Sequence, residues 1–149
     1  MPVRIASVIT LIALAAPVLA GGPRQFFELQ AVYVAPAAGE QAGSVSVSFL
    51  PRDPDVHINE RPAARLQLAE DQPILVDKQA PPPPLEPIDP DAITYLDTSQ
   101  PVLFPVAIAD GAPSGTHEVD AKVVFFFCSS RAGWCRRGKT EIQIVVTVP

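Results

Sequence analysis

The sequence of 149 residues is poor in cysteine and in basic residues, and few of its residues carry a charge of either sign. Two cysteines are too few for a small scaffold held together by disulfides. A formal net charge of −5 argues against a general nucleic-acid-binding protein. The chain has no glycine-rich phosphate loop and no Gly-x-Ser-x-Gly motif, so nothing in it points to a nucleotide-binding protein or a serine hydrolase.

The composition is typical of one folded domain rich in β-structure. Apolar residues make up 48% of the chain and charged residues 18%, which argues against a disordered protein. The length fits a single domain. Eighteen prolines argue against a helical bundle, because proline interrupts helices.

The first twenty residues have the pattern of a secretory signal peptide. Arg4 precedes an apolar run that ends at Ala16, and small residues stand at positions −3 and −1 of a cleavage site after Ala20. The run is shorter than the ~20 apolar residues that span a bilayer, so an uncleaved membrane anchor is the less favoured alternative. We therefore expect an exported chain whose residues 21–149 form a single domain.

Alternating apolar residues predict an all-β domain. In Ser44–Phe49 three serines alternate with Val45, Val47 and Phe49, which is the period of a half-buried strand. Pro105 predicts that its strand lies at a sheet edge, and the apolar run 121–128 predicts a central strand. The pattern favours an immunoglobulin-like antiparallel β-sandwich, with a closed barrel as the alternative. The predicted strands are 26–34, 44–49, 64–69, 102–108, 121–128 and 141–148.

A proline-rich segment interrupts this pattern. Residues 73–105 hold nine of the 18 prolines, with four in a row at 81–84. We expect an extended connection of polyproline type without sheet pairing. A loop over a binding site and a ligand for a proline-binding domain are the alternatives.

The two cysteines flank a predicted hairpin turn. A strong strand leads into Cys128, and Ser-Ser-Arg-Ala-Gly separates it from Trp134 and Cys135. Directly opposed residues of a hairpin lie within disulfide reach. A bond that closes so short a loop stabilises the fold by only about 2.5 kcal/mol in the chain-entropy model. Both a redox-active and a purely structural disulfide fit this pattern. Exchange is supported by the tendency of bonds across one hairpin to be labile.

Basic residues concentrate beside the cysteines. Arg131, Arg136, Arg137 and Lys139 are four of the ten basic residues that remain after residue 20. Positive charge beside a thiol lowers its pKa and favours exchange, although a solvated hairpin tip is the simpler interpretation. Trp134 can shield a sulfur, form a docking surface, or belong to the aromatic core.

Residues 122–141 resemble the end of the N-terminal periplasmic domain of the thiol:disulfide interchange protein DsbD. The similar features are the aromatic strand into Cys128, the Gly-Trp-Cys sequence that ends the turn, and the final strand. The sequences Val-His-Ile-Asn at 56–59 and Leu-Gln-Leu at 66–68, and Gly115 before Val119, also resemble that family.

The resemblance implies an immunoglobulin-like sandwich in the periplasm. It implies that Cys128 and Cys135 accept electrons through a mixed disulfide and pass them to periplasmic thiol-disulfide proteins. A separate membrane protein is the expected electron donor. It also implies a cap loop over the disulfide, for which the segment through Tyr95 is the candidate. The alternative is a non-enzymatic binding module with a structural disulfide.

No cofactor, metal or nucleic-acid partner is expected. The two histidines, His57 and His117, are 60 positions apart and form no metal-binding motif. Either cysteine can be the attacking residue; Cys135 is favoured over Cys128, because Arg136 and Arg137 follow it.

Overall fold

The computed structural model describes residues 22–38, 42–76 and 93–149. The predicted signal peptide and residues 77–92 of the proline-rich segment lie outside the described residues. The described chain begins with a short 3-10 turn and continues as strands: β1 (Phe27–Val34), β2 (Gly43–Pro51), β3 (Val56–Ile58), β4 (Arg65–Leu68), β5 (Ile74–Val76), β6 (Val102–Ile108), β7 (Gly115–Ser129) and β8 (Trp134–Val148).

The strands form two antiparallel sheets. One sheet has the order β1-β2-β6-β5. In the other sheet, β7 pairs with β8 along one side and with both β3 and β4 along the other. The predicted all-β fold is confirmed, and β7 is the central strand that its apolar sequence predicts.

The core lies between the two sheets and is rich in phenylalanine. Phe27 and Phe49 of the first sheet contact Phe125 of the second, with ring centroids 5.9 Å and 5.2 Å apart. Val45 and Val47 alternate with the half-buried serines of β2 and are fully buried, as the sequence predicts. This packing of one sheet on another is a β-sandwich arrangement.

The position of β6 corrects the prediction made from Pro105. β6 lies between β2 and β5, so it is not an edge strand. However, β5 pairs only with residues 106–108 of β6, so the pairing ends at Val106, the residue that follows Pro105. A proline lacks the N–H that a ladder needs, so it is tolerated where the described chain places no partner on that side.

The ends of the proline-rich segment also differ from the prediction. Residues 74–76 form β5, and Tyr95 forms an isolated antiparallel bridge with Asn59. The expectation of a connection without sheet pairing is therefore wrong at both ends. Across residues 22–38, 42–76 and 93–149, no helix is long and apolar enough to cross a membrane.

Candidate functional site: a cross-strand disulfide

The two cysteines are directly opposed at the end of the β7–β8 hairpin. Cys128 pairs with Cys135, one step before the last pair, Ser129 with Trp134. Their Cα atoms are 4.0 Å apart, and the sulfurs form a disulfide. The turn is closed by a hydrogen bond of 2.9 Å from the Gly133 N–H to the Ser129 carbonyl. Gly133 has a φ of +66°, which glycine adopts without strain.

The disulfide joins one buried sulfur to one exposed cysteine. Cys128 lies on the central strand, is 3% exposed and is directly opposed by His57 of β3 on its other side. Cys135 lies on β8, which has no further strand beside it in the described structure, and is exposed. An attacking thiolate from solvent therefore reaches the sulfur of Cys135 more readily than that of Cys128.

A buried amide contacts the inner sulfur. Asn59 is 2% exposed, and its Oδ1 lies 3.1 Å from the Sγ of Cys128. Its backbone N–H donates a hydrogen bond of 2.8 Å to the carbonyl of Phe126, which fixes the residue beside β7. Its Nδ2 has no hydrogen-bond partner among the described residues. In the sequence, Asn59 belongs to the family-like pattern at 56–59, and no local signal marks it as a site residue.

Tyr95 lies near the site but contacts His57. The two rings are 4.9 Å apart between centroids, and Tyr95 is 41% exposed. Because His57 is directly opposed to Cys128, this ring pair lies beside the buried end of the disulfide. The role of Tyr95 in a cap loop stays a prediction, since residues 77–92 before it lie outside the described residues.

Trp134 packs into the aromatic core. Its ring centroid lies 5.4 Å from that of Phe26 and 5.8 Å from that of Phe127. The Arg136 guanidinium stacks over the same indole, 4.5 Å from its centroid. Neighbouring strand residues point to opposite faces, so Trp134 and Arg136 lie on the face opposite to Cys135. The aromatic-core interpretation of Trp134 therefore fits its contacts better than a shield over the sulfur.

The remaining basic residues differ in their surroundings. Arg137 and Lys139 share the outward face of β8 with Cys135 and are opposed by Phe126 and Val124 of β7. In the part of the chain that the structure describes, no carboxylate forms a salt bridge with either of them. Together with the disulfide they form what we call the basic face, defined as Cys128, Cys135, Phe126, Arg137 and Lys139.

Arg131 is the exception, because it is paired. Its guanidinium lies 2.9 Å from the Oδ2 of Asp55, and both side chains are substantially exposed. The N–H of Ser130 also donates to the carbonyl of Asp55 at 3.2 Å. These contacts hold the hairpin turn against the turn between β2 and β3, and they compensate one of the four clustered charges.

Two carboxyl groups have a pKa below their ordinary value, and neither lies on β3, β7 or β8. Hydrogen bonding to the Arg52 guanidinium is the main cause that lowers the pKa of Glu28 on β1. Hydrogen bonds from Ser99 lower the pKa of Asp97. Both residues are exposed, and neither carboxyl group contributes to the disulfide site.

The two histidines do not converge. His57 is directly opposed to Cys128, whereas His117 lies on the same strand β7 eleven positions before that cysteine. At about 3.3 Å per residue they are separated by about 36 Å. The described ranges contain no group of three metal-ligating side chains.

The fold and the site together define an all-β sandwich with a cross-strand disulfide that is buried at one end and exposed at the other. Comparisons with models of known protein families, with characterised proteins and with solved structures find no match. Membership of the family that the cysteine hairpin resembles therefore stays a prediction.

Proposed function

We propose that the protein is a thiol-disulfide exchange protein, an oxidoreductase-like electron carrier whose working group is the Cys128–Cys135 disulfide. The single observation that carries this proposal is the unequal exposure of the two cysteines in one hairpin bond. Exchange needs one sulfur that a partner reaches and a second sulfur that resolves the mixed disulfide. Cys135 has the surroundings of the first and Cys128 those of the second.

The forward reaction conserves atoms and electrons in two steps. The thiolate of Cys135 attacks one sulfur of a partner disulfide, and the other partner sulfur leaves as a thiolate that takes up a proton. The thiol of Cys128 then loses its proton and attacks the Sγ of Cys135, which releases the second partner thiol. Two electrons pass to the partner, and the Cys128–Cys135 bond is formed. A donor dithiol restores the reduced state by the reverse route.

Contacts other than the disulfide also hold the hairpin. The β7–β8 ladder runs continuously from the pair Gly115–Val148 to the pair Ser129–Trp134. The turn is also held by the Gly133 to Ser129 hydrogen bond and by the Arg131–Asp55 pair. A disulfide stabilises mainly by restricting the unfolded chain, and the gain is smallest for a short loop. This arrangement favours exchange over the alternative of a non-enzymatic, immunoglobulin-like binding module with a structural disulfide.

The basic face supports a partner with an acidic surface around its own cysteines. Arg137 and Lys139 are exposed two and four positions after Cys135 on the same face of β8, whereas the chain as a whole carries a formal charge of −5. Positive charge near a thiol favours the thiolate, and it also steers an anionic partner to the site. With the predicted signal peptide, this makes periplasmic thiol-disulfide proteins or a separate membrane electron donor the proposed partners.

Reduction under native conditions tests the proposal. The purified oxidised chain is incubated with dithiothreitol without denaturant, and free thiols are counted by alkylation and mass. We expect both thiols to appear while the β-sheet circular dichroism spectrum is retained. The double variant Cys128→Ala/Cys135→Ala is expected to fold, with a Tm lowered by no more than the ~10 °C that a loss of about 2.5 kcal/mol implies for a domain of this size. Thiols that appear only in denaturant, or a double variant that does not fold, would contradict exchange and indicate a structural bond.

A further inference from the structure

Within the part of the chain that the structure describes, the side chain of Asn59 lacks the hydrogen bonds that its burial requires. Buried amide groups are nearly always paired, and each exception in a native structure calls for an explanation. Asn59 is 2% exposed, and its Nδ2 has no partner among the described residues. Its Oδ1 has one polar contact in the same ranges, at 3.1 Å to the Sγ of Cys128.

That contact is not a hydrogen bond in the oxidised protein. The Sγ of Cys128 is bonded to the Sγ of Cys135 and carries no proton, so it has nothing to donate to the Asn59 oxygen. Among the described residues, the oxidised state therefore leaves a buried amide without a hydrogen-bond partner at either end. Reduction changes this, because it places a proton on the Cys128 sulfur, where a thiol S–H donates to an oxygen at this distance.

We propose that Asn59 is a positioning residue that stabilises the reduced state of the site by accepting the S–H hydrogen bond of Cys128. On reduction by a donor dithiol, two electrons enter the Cys128–Cys135 bond and the donor becomes a disulfide. One proton stays on the Sγ of Cys128 and is directed at the Oδ1 of Asn59, while Cys135 releases its proton to solvent and becomes the attacking thiolate. The inference deepens the proposed function and rests on it for its role in exchange.

Backbone contacts hold Asn59 beside the disulfide. Its backbone N–H is bound to the carbonyl of Phe126, and its backbone is bridged to Tyr95. The Leu96 N–H donates to the carbonyl of Ile58, the residue before Asn59, at 2.8 Å. The amide is therefore present before the thiol forms, so that reduction gains a hydrogen bond without the cost of ordering its acceptor.

The redox equilibrium of Asn59→Leu tests this inference. Leucine has nearly the same volume and no polar atom, so the variant removes the acceptor and leaves no large cavity. A typical net hydrogen-bond contribution corresponds to a shift of about fivefold in the equilibrium constant. We therefore expect the equilibrium with dithiothreitol to move about fivefold toward the disulfide, as measured by alkylation and mass at a series of reductant ratios.

The chain offers a matched control. Thr140 is 5% exposed, lies on β8, and its Oγ1 is buried without a partner in the described structure. Thr140→Val therefore also removes a buried, unpaired polar atom, but on the inward face of the strand. We expect it to leave the equilibrium constant within about twofold of that of the unaltered chain. An equal shift in both variants would overturn the role of Asn59.

A second variant and a second readout separate this role from a general effect on folding. Asn59→Asp keeps an oxygen beside the sulfur, so we expect its equilibrium not to move toward the disulfide. We also expect Asn59→Leu to raise the Tm of the oxidised form relative to that of the reduced form. If Asn59 had only a structural role, the substitution would change the two Tm values equally. An unchanged equilibrium in Asn59→Leu overturns the inference but not exchange. A disulfide that resists native reduction in the unaltered chain overturns exchange instead.

Discussion

Cys128 and Cys135 are directly opposed and bonded to each other, yet one is 3% exposed and the other is open to solvent. The difference follows from the order of the strands. β7 has β8 on one side and β3 with β4 on the other, whereas β8 is covered on one side only in the described structure. The sheet therefore assigns different positions to two chemically identical groups.

This asymmetry predicts the order in which the reduced thiols react. After reduction we expect iodoacetamide to modify Cys135 about tenfold or more faster than Cys128, because the buried thiol reacts only after local opening of β3 from β7. Peptide mass analysis at short reaction times gives the two rates directly. Equal rates would contradict the assignment of Cys135 as the attacking residue.

Charge reversal on the basic face is expected to change which disulfides the reduced protein attacks. Arg137 shares its face with Cys135, so Arg137→Glu replaces an attractive field for anions by a repulsive one. We expect the reaction with anionic oxidised glutathione to slow by about threefold to tenfold and the reaction with cationic cystamine to accelerate. Both changes are expected to shrink in 1 M salt, where the screening length is about 3 Å.

Lys122→Glu is the matched control for that experiment. It makes the same change of charge on the same sheet face, six residues before Cys128 on β7, which is about 20 Å at 3.3 Å per residue. At an ionic strength of 0.1 M this exceeds the screening length of about 10 Å, so we expect little effect on either rate. If Lys122→Glu and Arg137→Glu behaved alike, the effect would be one of net charge and not of the basic face.

The Arg131–Asp55 pair is expected to contribute little to stability or to exchange. The side chains are 77% and 36% exposed, and exposed ion pairs typically contribute about 0.2 to 1 kcal/mol. A double-mutant cycle with Arg131→Gln and Asp55→Asn measures that coupling by thermal or urea unfolding. Because the pair is neutral as a whole, we expect the double variant to react with oxidised glutathione within about twofold of the unaltered rate. A coupling energy above about 2 kcal/mol would show that the pair is needed to hold the turn.

Gly138 is expected to be required for the packing of the core under the hairpin. A Cβ at this position would lie 3.0 Å from Cζ of Phe125 and 3.1 Å from Cε1 of Phe127. Phe125 is fully buried among other phenylalanine rings, so it has little room to move. We expect Gly138→Ala to lower the free energy of unfolding by about 1 to 3 kcal/mol, as measured by urea denaturation.

Gly22→Ala is the control for that variant, since a Cβ there meets no atom of the described residues within 4 Å. We expect it to leave the unfolding free energy unchanged within about 0.5 kcal/mol. If Gly138→Ala left the free energy of unfolding unchanged, the phenylalanine rings would repack freely around the added methyl group.

The sequence predicts the strands well where one face is buried. Ser44–Phe49 and residues 121–128 have clear patterns, and both lie within the strands β2 and β7. The pairing of Cys128 with Cys135 also follows from sequence, because a turn of suitable length separates two strong strands. These features depend on local periodicity, which a single sequence displays.

Features that depend on distant parts of the chain could not be predicted. β3 and β5 are only three residues long, too short for a periodic pattern to stand out. The edge position inferred from Pro105 is wrong, because β6 pairs with β5, which is about 30 residues earlier in the chain. The contact of Asn59 with Cys128 joins residues 69 positions apart, and no local signal marks it beyond an asparagine in a strand-like sequence.

The reduction potential of the Cys128–Cys135 bond distinguishes an exchanging disulfide from a structural one. The purified chain is equilibrated in glutathione buffers of defined ratio, quenched by acid, alkylated and analysed by mass to give the fraction of free thiols. An exchanging disulfide is expected to have a potential near −250 mV or higher. A potential well below about −300 mV is typical of structural disulfides and would contradict the account.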